Sequence, residues 1–224
     1  MIWDVIGRRK GIEKQPENQR PVCSIHCKKK MIALTFDDGY NFTMEILEKL
    51  EQYDVRATFF LTGSWVKQAS EICQKISEAG HEIGNHGFSH SDMTKQSQLD
   101  VLEEINRMQK LIGETAGKEC VLFRFPYGMC NGDLVELVKK NGLDAIQWSI
   151  DSQDWTEINR ETICKNVLEN KNLKKGAIVL LHTIHYETVE ALDQLIPALK
   201  AKGYELVTVS ELLHEKKHRF RCQC

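Results

Sequence analysis

Met31–Gly39, MIALTFDDG, is an apolar run that stops at two adjacent carboxylates and a glycine. A short apolar run closed by a turn former reads as a buried strand, here Met31–Phe36. Working outward, the pattern repeats at Val55–Leu61, His81–Asn85, Val121–Phe125, Asp144–Ile150, Ala177–His182 and Tyr204–Thr208, which makes seven strands. Between them Thr43–Tyr53, Ser64–Ala79, Ser97–Thr115, Gly132–Asn141, Asn159–Asn170 and Glu187–Lys202 carry apolar residues at helical spacing. Gly80, Gly113, Gly142 and Gly203 follow helical patterns, where a left-handed cap residue is favoured. Alternation of this kind along the chain predicts parallel strands wrapped by helices.

Periodicity suits a closed barrel and an open doubly wound sheet equally, so the polar residues decide. Asp37 and Asp38 follow the first strand, His86 and His90 the third. Arg124 ends the fourth, Asp151 follows the fifth and His182 ends the sixth. Strand ends that converge on one centre are how a βα-barrel builds an active site. The expectation is a distorted (β/α) barrel of about seven parallel strands over residues 31–213. A polar lead, 1–30, precedes it and a basic tail, 214–224, follows.

The composition sets limits. The chain has 224 residues, 42% hydrophobic and 28% charged, with 30 Lys and Arg against 32 Asp and Glu. These are values of a globular domain with one core, not of a disordered, collagenous or coiled-coil chain. No apolar run approaches the ~20 residues of a membrane span. The net charge of −2 hides basic ends and an acidic middle. The ends read as solvated, and nucleic acid is not indicated. The first sixteen residues, MIWDVIGRRKGIEKQP, show no apolar signal-peptide region, so no export signal is visible.

Eight cysteines are too few for a disulfide scaffold. Cys73 and Cys164 fall in helical patterns and read as buried small hydrophobes. Cys23, His26 and Cys27 precede the first strand and Cys222 and Cys224 end the chain. If the termini meet, these could form a disulfide or a zinc site, or remain tail thiols.

Asp-Asp-Gly alone is a common turn. In GHEIGNHGFSHSDM, however, His86 and His90 stand four apart, so one helical turn or a tight loop can aim both imidazoles at one point. With a carboxylate from another strand end they make a His₂Asp set. Two neutral imidazoles and one carboxylate leave open positions on a divalent ion such as zinc, as in a catalytic site.

Taken together, five segments resemble the polysaccharide deacetylase, or NodB-homology, family of metal-dependent carbohydrate esterases. They are TFDDG at Thr35–Gly39, the HxxxH pair His86–His90, FRFPYG with Arg124, Pro126, Tyr127 and Gly128, DxxDW at Asp151–Trp155, and LxH at Leu180–His182. GAIVLLHT and the stretch after it also resemble bacterial members acting on cell-wall glycans.

The resemblance implies roles residue by residue. Asp38, His86 and His90 would hold one divalent ion, Zn²⁺ first, with Co²⁺, Mn²⁺ or Ni²⁺ as alternatives. Asp37 would be the general base for the attacking water and Arg124 would orient it. The Tyr127 backbone N–H would help hold the oxyanion, and His182 would protonate the leaving amine. Asp151 would pair with His182, and Trp155 and Leu180 would line the acetyl pocket.

The implied substrate is a glycan, the N-acetylglucosamine units of peptidoglycan or a chitin-like oligosaccharide. An acetylxylan O-deacetylase and a catalytically silent glycan-binding module are the competing readings. Family members usually work outside the cytoplasm. Two positions depart from the pattern. Tyr40 stands where proline is usual, and Gly87 lacks the usual Ser/Thr hydroxyl, for which Asn85 and Ser89 are placed to substitute.

Overall fold

The computed structural model describes residues 16–156 and 158–221. The chain begins with β1 (Val22–Cys27), β2 (Met31–Asp38), α1 (Thr43–Gln52), β3 (Thr58–Leu61), α2 (Gly63–Gln68) and α3 (Ser70–Glu78). β4 (Glu82–Asn85), α4 (Gln98–Ala116), β5 (Leu122–Phe123), α5 (Gly132–Lys140), β6 (Asp144–Ala145) and β7 (Ile150–Asp151) follow. The chain closes with α6 (Arg160–Leu168), β8 (Ile178–His182), α7 (Tyr186–Ala201), β9 (Glu205–Leu206), α8 (Val209–His214) and β10 (Lys216–Arg221).

Seven parallel strands in the order β6-β5-β4-β3-β2-β8-β7 form one sheet, and β9 pairs with the start of β2 at Met31 and Ile32. The sheet's two edges, β6 and β7, are neighbours in sequence, joined by residues 146–149. So short a link, roughly 17 Å when fully stretched, cannot connect the edges of a flat sheet of this width. The sheet therefore curls into the distorted barrel that the alternation predicts.

Every residue of β2 is buried, as a parallel strand with both faces covered requires. Alternation assigns the faces: Ile32, Leu34 and Phe36 pack into the cluster shared with the helices, while Met31 and Ala33 pack into the barrel interior. Thr35 and Asp37 continue the interior row. The core runs up the strand and becomes chemistry at its C-terminal end.

The structure corrects four expectations. Asp144–Ile150 is not one strand but β6 and β7 on opposite edges, because closing the barrel needs a link there. Ser64–Ala79 is broken at Ala69 (φ −126°) into α2 and α3. The first N–H groups of α2 are taken by the loop after β4, with Gly63 N on Gly87 O and Ser64 N on Phe88 O, so the two halves serve different neighbours. Gly113 lies inside α4, and Gly117 (φ 64°) is its left-handed cap, whereas Gly80, Gly142 and Gly203 take the left-handed conformation expected of them.

The fourth correction concerns the ends. Within the lead, β1 buries Val22 and Ile25 in the interior cluster with Val209, Leu212 and Leu213 of α8, and it pairs antiparallel with β10 of the tail. The two flanking segments therefore meet at residues 22–27 and 216–221. The Cys27 thiol is buried and donates to Lys29 O, Cys23 sits half-buried on β1, and Cys222 and Cys224 lie outside the described residues. Cys73 and Cys164 are fully buried, as expected. Among the described residues no helix is long and apolar enough to cross a membrane.

Candidate active site

The strand ends bring the expected residues to one place. Asp37 and Asp38 end β2, and Asp37 lies in register with His182 at the end of β8. Successive strand residues point to opposite faces, so two adjacent aspartates would not ordinarily share a target. Asp38 has a φ of 74°, and this left-handed turn brings both carboxylates toward His86. His86 Nε2 lies 3.8 Å from Asp37 Oδ2 and 3.3 Å from Asp38 Oδ1. His90 Nε2 lies 3.0 Å from the same Asp38 oxygen.

The spacing of four between the histidines is realised as a loop, not a helix. Gly87 (φ 75°) and His90 (φ 56°) turn it, and Asn85 and Glu104 tie it down. Asn85 Oδ1 accepts from Gly87 N at 2.8 Å, and Glu104 Oε2 accepts from the N–H groups of Phe88 and Ser89. Ser89, placed to replace the missing hydroxyl at 87, donates to the same Glu104 oxygen.

Arg124 is wholly buried, which removes any reading of it as a surface ion pair. Its Nη1 donates to Asp37 Oδ1 at 2.6 Å and to Thr35 Oγ1 at 2.8 Å, and its Nη2 to Gln147 O at 3.3 Å. The guanidinium stacks 4.0 Å over Phe60. Asp37 thus faces the fixed positive charge of a buried guanidinium.

The partner of His182 is Asp154, not Asp151. Its Nδ1 lies 2.9 Å from Asp154 Oδ1, and its backbone N donates to Asp154 Oδ2. Asp154 is fully buried and also accepts from Thr188 Oγ1. Burial pushes His182 down. The hydrogen bond and charge of Asp154, with the charges of Asp37 and Asp38 behind them, outweigh this and raise the imidazole from 6.5 to about 9.

Asp151 instead accepts from Gln153 N at 2.8 Å and from the side chain of Trp155. Burial raises its pKa, against the Gln153 hydrogen bond, the charge of His182 and the Trp155 hydrogen bond. Gln153, at φ 60°, turns the chain between the two aspartates of DxxDW, and it is the second that reaches the histidine.

Tyr127 is exposed, with a φ of 58°, and its ring lies 4.5 Å from that of His90. Trp155 is partly exposed, while Leu180 is buried on β8. Sequence reasoning missed Asp154, Glu104 and Gln147. Only Asp154 left a signal, as the aspartate beside the tryptophan in DxxDW.

The donor set fits a divalent ion. His86 Nδ1 lies 2.7 Å from Arg124 O, and a carbonyl oxygen only accepts, so this nitrogen carries the proton and Nε2 is turned toward the carboxylates. Asp38, His86 and His90 each offer one ligand atom, all within 4.8 Å of one another. Buried carboxylates and imidazole lone pairs at such distances require a positive charge between them. Two nitrogens and one oxygen suit a borderline divalent metal.

The polysaccharide deacetylase family model matches residues 25–146, more than half of the chain. The chain belongs to the polysaccharide deacetylase family. The family is metal-dependent, and the Asp38, His86 and His90 cluster is where this member could hold the ion.

Among its relatives, a peptidoglycan-N-acetylglucosamine deacetylase, PgdA, of Listeria monocytogenes is 41% identical over 189 residues. The match covers 84% of this chain and 40% of PgdA, so the chain spans about two-fifths of that relative's length. The solved structure of the Bc1960 peptidoglycan N-acetylglucosamine deacetylase aligns with a TM-score of 0.83 at 35% identity, covering 88% of this chain and 94% of that one. A Bacillus anthracis structure, BA3943, described as a pseudoenzyme, aligns with the same TM-score at 32% identity, covering 88% of this deacetylase-family chain and 70% of its own.

Proposed function

We propose that the protein is a metal-dependent hydrolase that removes N-acetyl groups from N-acetylglucosamine-type residues of peptidoglycan or chitin-like oligosaccharides, releasing acetate. A relative described as a pseudoenzyme has this fold, so residues rather than fold must carry the proposal. What carries it is the pairing of a carboxylate base with an imidazolium acid on adjacent strand ends. Asp37 is held by Arg124, and His182 is held by Asp154, in register across β2 and β8.

Asp38, His86 and His90 would hold Zn²⁺, the ion their donor set suits best. When bound, it supplies Lewis-acid polarisation of the acetyl carbonyl and of water. Asp37, held by Arg124, takes the proton of the attacking water. The Tyr127 backbone N–H is proposed to share the charge developing on the carbonyl oxygen. His182, positively charged at neutral pH, protonates the departing amine, a poor leaving group without that proton. Trp155, anchored by Asp151, and Leu180 are proposed to border the acetyl group.

The test is acetate release by zinc-loaded protein from N-acetylglucosamine oligomers, from peptidoglycan and from acetylxylan. The first two should release acetate. Release from xylan alone would replace the N-deacetylase reading with an esterase one, and binding without release from any of the three would make the chain a silent glycan-binding module.

A further inference from the structure

The loop carrying His86 and His90 has little intrinsic reason to hold its shape. Two of its five residues are left-handed, and position 87 has no side chain to contribute a bond. Nor can it readily take one, since the φ of 75° at this position strains any L side chain. The restraint comes from α4. Asn85, at the end of β4, donates to Ile105 O at 3.0 Å and Gln109 Oε1 at 3.1 Å on that helix, while its Oδ1 holds Gly87 N. Between those two positions on the helix, the Arg107 guanidinium lies 3.8 Å from the Phe88 ring centroid.

The turn that precedes these contacts on α4 carries Glu104. It is buried to 9% exposure on the face of α4 that otherwise presents Val101, Ile105 and Met108 to the core. A carboxylate is the costliest choice for such a position. Its Oε2 gathers three donors from the two residues midway between the histidines: Phe88 N at 3.0 Å, Ser89 N at 2.7 Å and Ser89 Oγ at 2.9 Å. Charge-assisted acceptance from consecutive amides fixes the peptide planes of 88 and 89, and those planes set where residue 90 starts.

We infer that Glu104 is a positioning residue for the metal centre, clamping residues 88 and 89 so that the Nε2 atoms of His86 and His90 converge on Asp38. This inference rests on the reading of Asp38, His86 and His90 as metal ligands. Glu104 lies outside that set and acts through the loop, doing from a separate helix what a hydroxyl at position 87 would otherwise do.

The test compares wild type with Glu104→Ala, Glu104→Gln and His90→Ala. The readouts are zinc affinity by chelator competition, the visible absorption of the Co²⁺-substituted protein, and thermal unfolding of the metal-free protein. Glu104→Ala should bind zinc about 10- to 100-fold more weakly, as loss of outer-shell partners does, and should shift the cobalt bands. Glu104→Gln keeps an acceptor oxygen of the same reach without the charge and should fall between wild type and Glu104→Ala.

A Glu104→Ala protein that unfolds earlier yet binds zinc and absorbs as wild type does would reduce Glu104 to a structural residue and overturn the inference. If Glu104→Ala does not fold, Glu104→Gln decides, and an affinity equal to wild type overturns the inference in that case too. His90→Ala separates the two levels: retained zinc in that variant sinks the metal reading itself, whereas lost zinc beside intact Glu104 variants sinks only the clamp.

Discussion

Asp154→Asn should separate the acid arm of the site from everything else. The imidazole of His182 is raised from 6.5 to about 9, and the hydrogen bond and charge of Asp154 lead the causes that raise it against burial. At about 1.36 kcal/mol per pKa unit, that difference is a preference for imidazolium of roughly 3 kcal/mol. An asparagine amide keeps an oxygen for the His182 N–H and for Thr188 Oγ1, so the loop should hold. Its NH₂ group would face Nδ1, however, and favour the neutral ring protonated on Nε2, a far weaker acid.

With the carboxylate gone, burial dominates. The basic limb of kcat/KM for acetate release should move down by roughly two pH units or more. The assay is the pH profile of zinc-loaded protein on N-acetylglucosamine oligomers, with the His182 resonance titrated by NMR in parallel. Asp151→Asn is the comparison. Its carboxylate holds Gln153 and Trp155, so its basic limb should stay near wild type while its KM rises. An unmoved limb in Asp154→Asn, or an equal shift in Asp151→Asn, would refute the Asp154–His182 pairing.

Other perturbations have distinct signatures. His90→Ala should lose metal and activity together, read by metal content after gel filtration, and full metal content would remove His90 from the ligand set. Asp37→Asn should keep its metal and oligosaccharide affinity yet lose about 10²–10⁴-fold in rate as a general-base deletion; near-wild-type turnover would place the base elsewhere. Arg124→Met strands the buried Asp37 carboxylate and should cost about 3–5 kcal/mol in urea unfolding, against under ~1 kcal/mol if the pair behaved as a surface one. Because the His182 pKa is higher folded than unfolded, its contribution to stability is complete below pH 6.5 and fades as pH rises toward 9. Stability of the metal-free protein should fall across that window in wild type and less steeply in Asp154→Asn.

Much of this arrangement was legible in the chain because it depends on local pattern. The apolar run before Asp37 and the two histidines four apart carry their meaning within a few residues, and alternation supplies the barrel that brings them together. What was not legible depends on tertiary closure. Nothing within Asp144–Ile150 reveals that its two halves pair with opposite edges of one sheet, since that follows from the sheet's curl. VCSIHC has the alternation of a strand, but its partner β10 lies almost two hundred residues away. In DxxDW both aspartates are chemically able to hold a histidine, and the choice is made by the left-handed Gln153, a residue type that gives no warning of it. Glu104 reads from sequence as one more polar helix residue, because its targets lie on a loop that only the packed helix reaches.

The backbone itself separates function from stability. Among the described residues, five other than glycine have positive φ: Asp38, Asp54, His90, Tyr127 and Gln153. Asp54 closes the turn after α1; Asp38 is the last residue of β2, and the other three lie on loops beyond the C-terminal ends of strands, around the site. Such conformations cost of order 1–3 kcal/mol each and persist only where the surroundings over-determine them. The surroundings do so here. Thr62 donates both its N–H and its hydroxyl to Asp38 O, Glu104 and Asn85 hold the loop before His90, and Gln147 Nε2 donates to Gly128 O beside Tyr127. Ile32, Leu34 and Phe36 lower on β2 face the helices and supply burial. The strand bodies can therefore bear strain that lets Asp37 and Asp38, adjacent in sequence and directed apart by the pleat, face one centre.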